Sequence, residues 1–169
     1  DVACGQQHCL ALDSEKKLWS WGLGVFGQLG HSSLRDEPVP RKIVTFTVKA
    51  ARFPIDDDPE VPLPVPDTIQ EDSRSIDIDQ IACGAHHSLV LDTEGRIWSW
   101  GSAEYGQQGG SKNYEDLATK DAKEQHFYYS VPRLLPSGLN GKRPVKIACG
   151  NLHNIALTED GCMWTWGWG

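Results

Sequence analysis

The sequence repeats one motif three times: Ala-Cys-Gly, two further residues, His, a short apolar run, and then Trp, Ser or Thr, Trp and Gly. The copies begin at Ala3, Ala82 and Ala148, and in each copy the second tryptophan follows the alanine by 18 positions. Such a period is typical of repeat architectures, in which one supersecondary unit packs against copies of itself. Residues that recur in every copy therefore call first for a structural explanation.

Each copy predicts a group of short antiparallel strands. In the second copy, a first strand is predicted over residues 80–83 and ends at Gly84, and a second strand is predicted over 87–91. A polar hairpin turn at 92–95 then leads to a return strand over 97–100. Because side chains alternate along a strand, Trp98 and Trp100 are expected to share one face.

A fourth strand is predicted where a proline precedes an apolar run, at 40–44 in the first repeat and at 132–135 in the second. Four-stranded units that must cover each other's faces favour an all-β fold, with radial stacking into a β-propeller.

The motif closely resembles the RCC1 (regulator of chromosome condensation) repeat, including the segments Phe26-Gly27-Gln28-Leu29-Gly30 and Tyr105-Gly106-Gln107-Gln108-Gly109. The resemblance implies a seven-bladed RCC1-like β-propeller, of which this chain provides a partial arc of fewer than half the blades. The predicted repeats are 2–80, 81–146 and a truncated 147–169. The natural polypeptide is expected to continue in both directions. Lys16 departs from the pattern, since the other copies have a turn glycine at this position. The hairpin turn of the first copy is therefore expected to be of a different type.

Composition narrows the functional classes. The net charge of −7 argues against direct binding of nucleic acid phosphates and weakens a role on chromatin. No apolar run is long enough for a membrane span. Three of the five cysteines share one repeat position and are therefore expected to be small buried residues. The absence of a CxxC pair favours an intracellular protein, cytoplasmic or nuclear. No metal site and no cofactor are expected.

The spacing between copies reveals an insertion of about 26 residues near 48–75 in the first repeat. Its alternating prolines predict an extended loop. One hypothesis is that the loop docks a basic protein partner or serves as a proline-rich ligand segment. The other is that it is a solvated excursion without a partner. The candidate binding residues are Phe53, Asp56, Asp57, Asp58 and Glu60.

A second insertion, of about 13 residues, lies near 110–128. A short helix is predicted over 114–125. Its aromatic residues could anchor a partner or could pack back onto the blade. The candidate binding residues here are Tyr114, Phe127 and Tyr128.

The recurring polar residues are interpreted as structural. Each repeat histidine is expected to bond a backbone group of its own blade, and each tryptophan pair is expected to pack in the core; His86 is expected to be exposed. Ser20, Ser99 and Thr165 have no adjacent base in sequence, so no catalytic residues are predicted. The repeat set consists of His8, His87, His153, Trp21, Trp100 and Trp166.

These observations favour a non-catalytic propeller that serves as an interaction or regulatory scaffold, within a larger protein or assembly. The alternative, implied by the family resemblance, is guanine-nucleotide exchange on a Ran-like small GTPase. The expected partners are therefore proteins, with a small GTPase or a large assembly among them.

Overall fold

The computed structural model describes residues 1–47, 76–109, 127–135 and 139–168, and the backbone of residues 119 and 120. Its described residues form three antiparallel β-sheets and no helix. The candidate residues Phe53, Asp56, Asp57, Asp58, Glu60 and Tyr114 lie outside these ranges, as does most of both insertions.

The first sheet has the strand order β1-β2-β3-β4. Its strands are β1 Val2–Cys4, β2 His8–Leu12, β3 Leu18–Gly22 and β4 Glu37–Lys42. The second sheet has the order β5-β6-β7-β9-β8. Its strands are β5 Ile78–Cys83, β6 His87–Asp92, β7 Ile97–Ser102, β8 Thr119–Lys120 and β9 Phe127–Leu134. The third sheet contains β10 Pro144–Cys149, β11 His153–Thr158 and β12 Met163–Gly167, in that order.

The fourth strand of each of the first two units is present, but it begins earlier than predicted. Strand β4 begins at Glu37 and includes two prolines, which an edge strand tolerates because its outward backbone groups need no partner. Strand β9 begins at Phe127, where its first residues pair with β8 and with the end of β7. Residues 119–120 are thus in a strand, so the helix predicted over 114–125 is wrong at these positions.

All three sheets share one register. In each, the repeat histidine lies opposite the glycine that follows the tryptophan pair: His8 opposite Gly22, His87 opposite Gly101, and His153 opposite Gly167. The sheets stack face to face, and the first strands of successive units are neighbours, with β1 against β5 and β5 against β10. This is the arrangement of adjacent propeller blades, and the all-β propeller prediction is confirmed.

The two spaces between the sheets hold the two hydrophobic cores. The first core is centred on Trp98 and Trp100, both fully buried, which pack against Leu10, Leu18 and Phe46 of the first unit. The second core joins Leu89 and Leu91 to residues of the third sheet, and Trp164 and Trp166 pack against it. The second and third tryptophan pairs therefore pack between sheets, whereas Trp19 and Trp21 of the first unit are half-buried and join neither core.

In the first two sheets an aspartate ties the hairpin turn to the first tryptophan of the pair, whereas in the third sheet Trp164 Nε1 donates to Thr158 Oγ1 at 3.3 Å. Asp13 Oδ2 accepts a hydrogen bond of 2.8 Å from Trp19 Nε1, and Asp92 Oδ2 accepts one of the same length from Trp98 Nε1. The Oδ1 atom of each aspartate accepts backbone N–H groups of its own turn, which is the typical local role of aspartate in turns. Turn and core are thereby held by the same carboxylate.

The turn that contains Lys16 is of the same kind as the other two, contrary to the expectation of a different turn type. Lys16 has a φ of 64°, while Gly95 and Gly161 have φ values of 82° and 81°. A lysine in the left-handed region costs roughly 1–2 kcal/mol, because its Cβ approaches the carbonyl oxygen. The first unit thus contains a strained position that the other two avoid.

We predict that Lys16→Gly raises the free energy of unfolding of the natural protein by about 0.5–1 kcal/mol, since relief of the strain exceeds the added freedom of glycine in the unfolded chain. The ion pair that Lys16 forms with Asp79, at 3.6 Å and half exposed, contributes little. Urea-induced unfolding measures the change. The matched control is Gly161→Ala, whose added Cβ meets no atom within 4 Å, and which should be destabilising by a similar amount. Equal destabilisation by both variants would contradict the strain at Lys16.

Candidate binding surface

One end of the stacked sheets is formed by the loops that carry most of the repeat motif. The turns at 5–7, 84–86 and 150–152 connect the first two strands of each unit, and the loops at 23–36 and 103–109 follow the third strand. Because neighbouring strands run in opposite directions, all these segments lie at the same end, which we call the turn face. The hairpin turns lie at the other end, the hairpin face.

The two insertions are attached to opposite faces. Before the first insertion, Thr47 pairs with Arg133 near the end of β9, and after it Asp77 accepts a hydrogen bond from Thr93 of a hairpin turn. Both contacts are at the hairpin face. On the second insertion's side, Tyr128 pairs with Ser102, which is at the turn face. Each face of this arc therefore has its own inserted segment.

The turn face is held together by a hydrogen-bond network that crosses from the first sheet to the second. The backbone oxygen of Gln28 accepts one bond from Ser88 Oγ, at 2.9 Å, and another from Trp100 Nε1, at 2.8 Å. Ser88 Oγ also lies 3.0 Å from His8 Nε2. Since the serine proton is directed at Gln28, the histidine nitrogen is the donor. We call this network the inter-sheet latch.

The latch is repeated between the second and third sheets with one substitution. The backbone oxygen of Gln107 accepts bonds from Asn154 Nδ2, at 2.7 Å, and Trp166 Nε1, at 2.9 Å. His87 Nε2 lies 2.9 Å from Asn154 Oδ1 and donates to it. The expectation that each histidine bonds a backbone group of its own blade is therefore wrong for His8 and His87. Their partners are side chains of the next sheet.

The glycine three residues before each histidine makes room for the imidazole ring. A Cβ atom added at Gly5 would lie 2.3 Å from His8 Cε1, and one added at Gly84 would lie 2.0 Å from His87 Cε1. Real Cβ atoms do not approach this closely, so a side chain at either glycine would displace the ring. The Gly-x-x-His spacing is thus required by the latch.

Burial makes both latch histidines poor bases. Burial lowers the pKa of His8 to about 4, and the neighbouring His87 and His86 contribute to the shift. Burial also lowers the pKa of His87 to about 4, although its bond to Asn154 acts in the opposite direction. Both rings are therefore neutral at physiological pH. His153, at the same repeat position, is exposed.

A cleft of about 340 Å³ opens on the turn face among the three Cys-Gly turns. Backbone bonds join these turns in series, from Gln6 N to Ala85 O at 3.1 Å and from Ala85 N to Asn151 O at 2.9 Å. Cys4, Cys83 and Cys149 line the cleft. The cysteines are less buried than expected, since Cys4 is exposed and the other two are half-buried.

Aromatic contacts between successive units also lie on the turn face. The ring of Phe26 lies 4.5 Å from that of His86, measured between centroids, and the ring of Tyr105 lies 5.5 Å from that of Trp168. His86 is half-buried by this contact, so the expectation that it is exposed is wrong. Trp168 is 64% exposed beside Tyr105.

The candidate residues of the second insertion are described only at its end. Phe127 is the first residue of β9. Tyr128 is 9% exposed and pairs with Ser102 and Thr119. For Tyr128, the structure matches the alternative in which the aromatic cluster packs onto the blade.

The sequence interpretation missed the functions of Gln28, Gln107, Ser88 and Asn154. The recurrence of the two glutamines in the motif was the sequence feature that could have indicated their function. The Oε1 atom of each glutamine also accepts a hydrogen bond from the backbone N–H two residues earlier. Ser88 and Asn154 occupy the same repeat position but are different residue types, so a comparison of the copies did not single out this position.

One serine does have a histidine next to it in space. Ser20 Oγ lies 2.8 Å from His31 Nε2, a proximity that the sequence did not reveal. The hydroxyl is fully buried, however, and donates to Leu29 O at 2.6 Å, so no substrate could reach it. Within the described ranges, no cluster of three metal-ligating side chains is present, and no helix is long and apolar enough to cross a membrane.

Comparison with known proteins places the chain in a family. A model of the regulator of chromosome condensation (RCC1) repeat matches residues 16–53 and 94–157, which is more than half of the chain. A second model of the same repeat matches residues 1–28 and 78–107. The chain belongs to the RCC1 repeat family.

Two relatives have different activities in their names. The guanine nucleotide exchange factor SRM1 of Saccharomyces cerevisiae is 33% identical over 170 residues, covering 99% of this chain and 30% of its own. The human E3 ubiquitin-protein ligase HERC2 is 27% identical over 209 residues, covering 98% of this chain and 4% of its own. The chain spans a third or less of the length of the curated relatives it matches.

A solved structure supports the same fold. The crystal structure of Prp20p from Saccharomyces cerevisiae, described with its binding properties to Gsp1p and histones, superposes with a TM-score of 0.70 at 28% identity. The match covers 100% of this chain and 33% of Prp20p.

We predict that the protein loses stability as the pH falls from about 6.5 to about 4. In this window the unfolded histidines bind protons, while folded His8 and His87, each with a pKa of about 4, do not. The unfolding free energy should fall by up to about 1.4 kcal/mol per pH unit for each latch histidine. Denaturant unfolding at a series of pH values measures the slope. His8→Gln should flatten it, and an unchanged slope in that variant would refute the assignment.

Proposed function

We propose that this chain is part of a non-catalytic β-propeller that serves as a rigid platform for protein partners, with its inserted segments as the recognition elements. One observation carries the proposal: where two sheets meet, the recurring histidines, tryptophans and glutamines of the motif are occupied by the inter-sheet latch and the cores. His8, Trp100 and the Gln28 carbonyl all have partners inside the protein. What remains for recognition is where the repeats differ.

The attachment of the insertions supports this division of roles. Because they are anchored at opposite faces, a partner bound by one segment would not compete for the face that carries the other. The first insertion contributes the acidic cluster of Asp56, Asp57 and Asp58 and suits a basic protein surface. The second contributes Tyr114 and Phe127, residue types that anchor interfaces. We place the protein in the cytoplasm or nucleus, which agrees with the free cysteines of the described residues.

We predict that neutralising the triad Asp56, Asp57 and Asp58 to asparagine weakens the binding of a basic partner at least about tenfold and reduces its dependence on salt. Partners that co-purify with the natural protein would be quantified for the wild type, the triple variant and a deletion of 54–68. Glu15→Gln is the matched control, an exposed acid on the hairpin face outside the insertion. Unchanged recovery of every partner with both altered proteins would refute docking by this loop.

Guanine-nucleotide exchange is the second candidate, favoured by the relative SRM1 at 33% identity. An exchange factor accelerates nucleotide release from a small GTPase without chemistry of its own, so the lack of a catalytic constellation in the described residues agrees with it too. The two functions differ in a single measurable quantity, the rate of nucleotide release.

We predict that the natural protein leaves nucleotide release unchanged across a panel of purified small GTPases that carry a fluorescent guanine nucleotide. Release is followed by loss of fluorescence in the presence of excess unlabelled nucleotide. A chelator of Mg²⁺ provides the positive control for each GTPase, because the metal holds the phosphates. Acceleration of about tenfold or more for one GTPase would replace the scaffold proposal with the exchange function.

A further inference from the structure

Cys4 and Cys9 form a pair of thiols that the repeat alone does not explain. They are register partners on the antiparallel strands β1 and β2, and their Sγ atoms are 3.3 Å apart. The equivalent partners in the other sheets are Cys83 with Ser88 and Cys149 with Asn154, each with one thiol. Only the first of the three described sheets therefore has two sulfur atoms at this place.

The backbone geometry at this pair suits a covalent bond. Asp1 O accepts from Leu12 N, and His8 O accepts from Gly5 N. Since hydrogen-bonded and non-hydrogen-bonded pairs alternate along an antiparallel ladder, Cys4 and Cys9 form a non-hydrogen-bonded pair. The Cα atoms of such pairs are about 4.5 Å apart, which is within the range of about 4.4–6.8 Å seen in disulfides. Rotation of the two side chains is enough to bring the sulfur atoms together.

We propose that Cys4 and Cys9 are a redox modification site, at which a cross-strand disulfide forms reversibly by exchange with a small disulfide such as oxidised glutathione. The thiolate of the exposed Cys4 attacks one sulfur of the small disulfide and releases one thiolate. Cys9 then attacks the Cys4 sulfur and releases the second. The protein loses two electrons and two protons, and the small disulfide becomes two thiols.

The two cysteines have distinct roles in this sequence of steps. Burial raises the pKa of the Cys9 thiol to about 11, and its bond to Cys4 adds to the shift. In the mixed disulfide the Cys4 thiol is gone, but burial still raises the pKa of Cys9, so closure of the ring becomes faster as the pH rises and the thiolate becomes more abundant. Cys4 also lines the turn-face cleft, so oxidation alters one wall of that cleft.

We predict that oxidised glutathione converts the reduced natural protein to a form in which the tryptic peptide ending at Lys16 is lighter by two hydrogen atoms, as measured by mass spectrometry. Dithiothreitol should reverse the change. The rate of ring closure should rise about tenfold per pH unit between pH 7 and pH 9, because the Cys9 thiolate becomes more abundant.

Two controls separate this site from general thiol reactivity. Cys9→Ser places at this position the residue type found at Ser88, and should leave only a stable mixed disulfide on Cys4. Cys162, which is exposed and has no thiol partner among the described residues, should give a mixed disulfide without closure in the wild type. If the Lys16 peptide stays fully reduced or accumulates only mixed disulfides at pH 9 in excess oxidised glutathione, the proposal is wrong.

Discussion

The structure depends on one backbone carbonyl in each unit, that of Gln28 in the first and Gln107 in the second. Each carbonyl accepts two bonds from the following sheet, one from the second tryptophan and one from the residue after the repeat histidine. A buried donor left without an acceptor costs about 1–3 kcal/mol, so these bonds determine how one sheet sits on the next. Hydrophobic burial drives the stacking, and the latch gives it a single register.

Much of this fold was accessible from the sequence because the motif repeats the same physical solution. The alternation of Trp98 and Trp100, the turn aspartate and the glycine before each histidine all have local causes that a periodic pattern makes visible. The latch was not accessible, because its bonds join residues 47 to 80 positions apart. Nor was the left-handed Lys16, since its conformation is imposed by the strands on either side and opposes the preference of the residue.

The candidate binding residues illustrate a different limit. A repeat comparison identifies where a unit is longer than its neighbours, and it led to Asp56 and Tyr114. It contains no information about partners, because a solvated segment and a binding segment have similar compositions. What the fold adds is placement: the two insertions leave from opposite faces, and this follows from strand direction alone. The same reasoning explains why Tyr128, although aromatic and near an insertion, is buried as part of a strand.

Variation at one latch position connects structure with reactivity. The residue after the repeat histidine is Cys9 in the first unit, whereas it is Ser88 in the second and Asn154 in the third. Serine and asparagine each donate one proton and accept another, and both functions are needed to connect a histidine to a carbonyl. A thiol does this poorly, being a weak donor and a weak acceptor. In the first unit the thiol at this position places a second sulfur atom 3.3 Å from Cys4 Sγ. One position of the repeat thus holds a hydrogen-bonding latch residue in the second and third units and a thiol in the first.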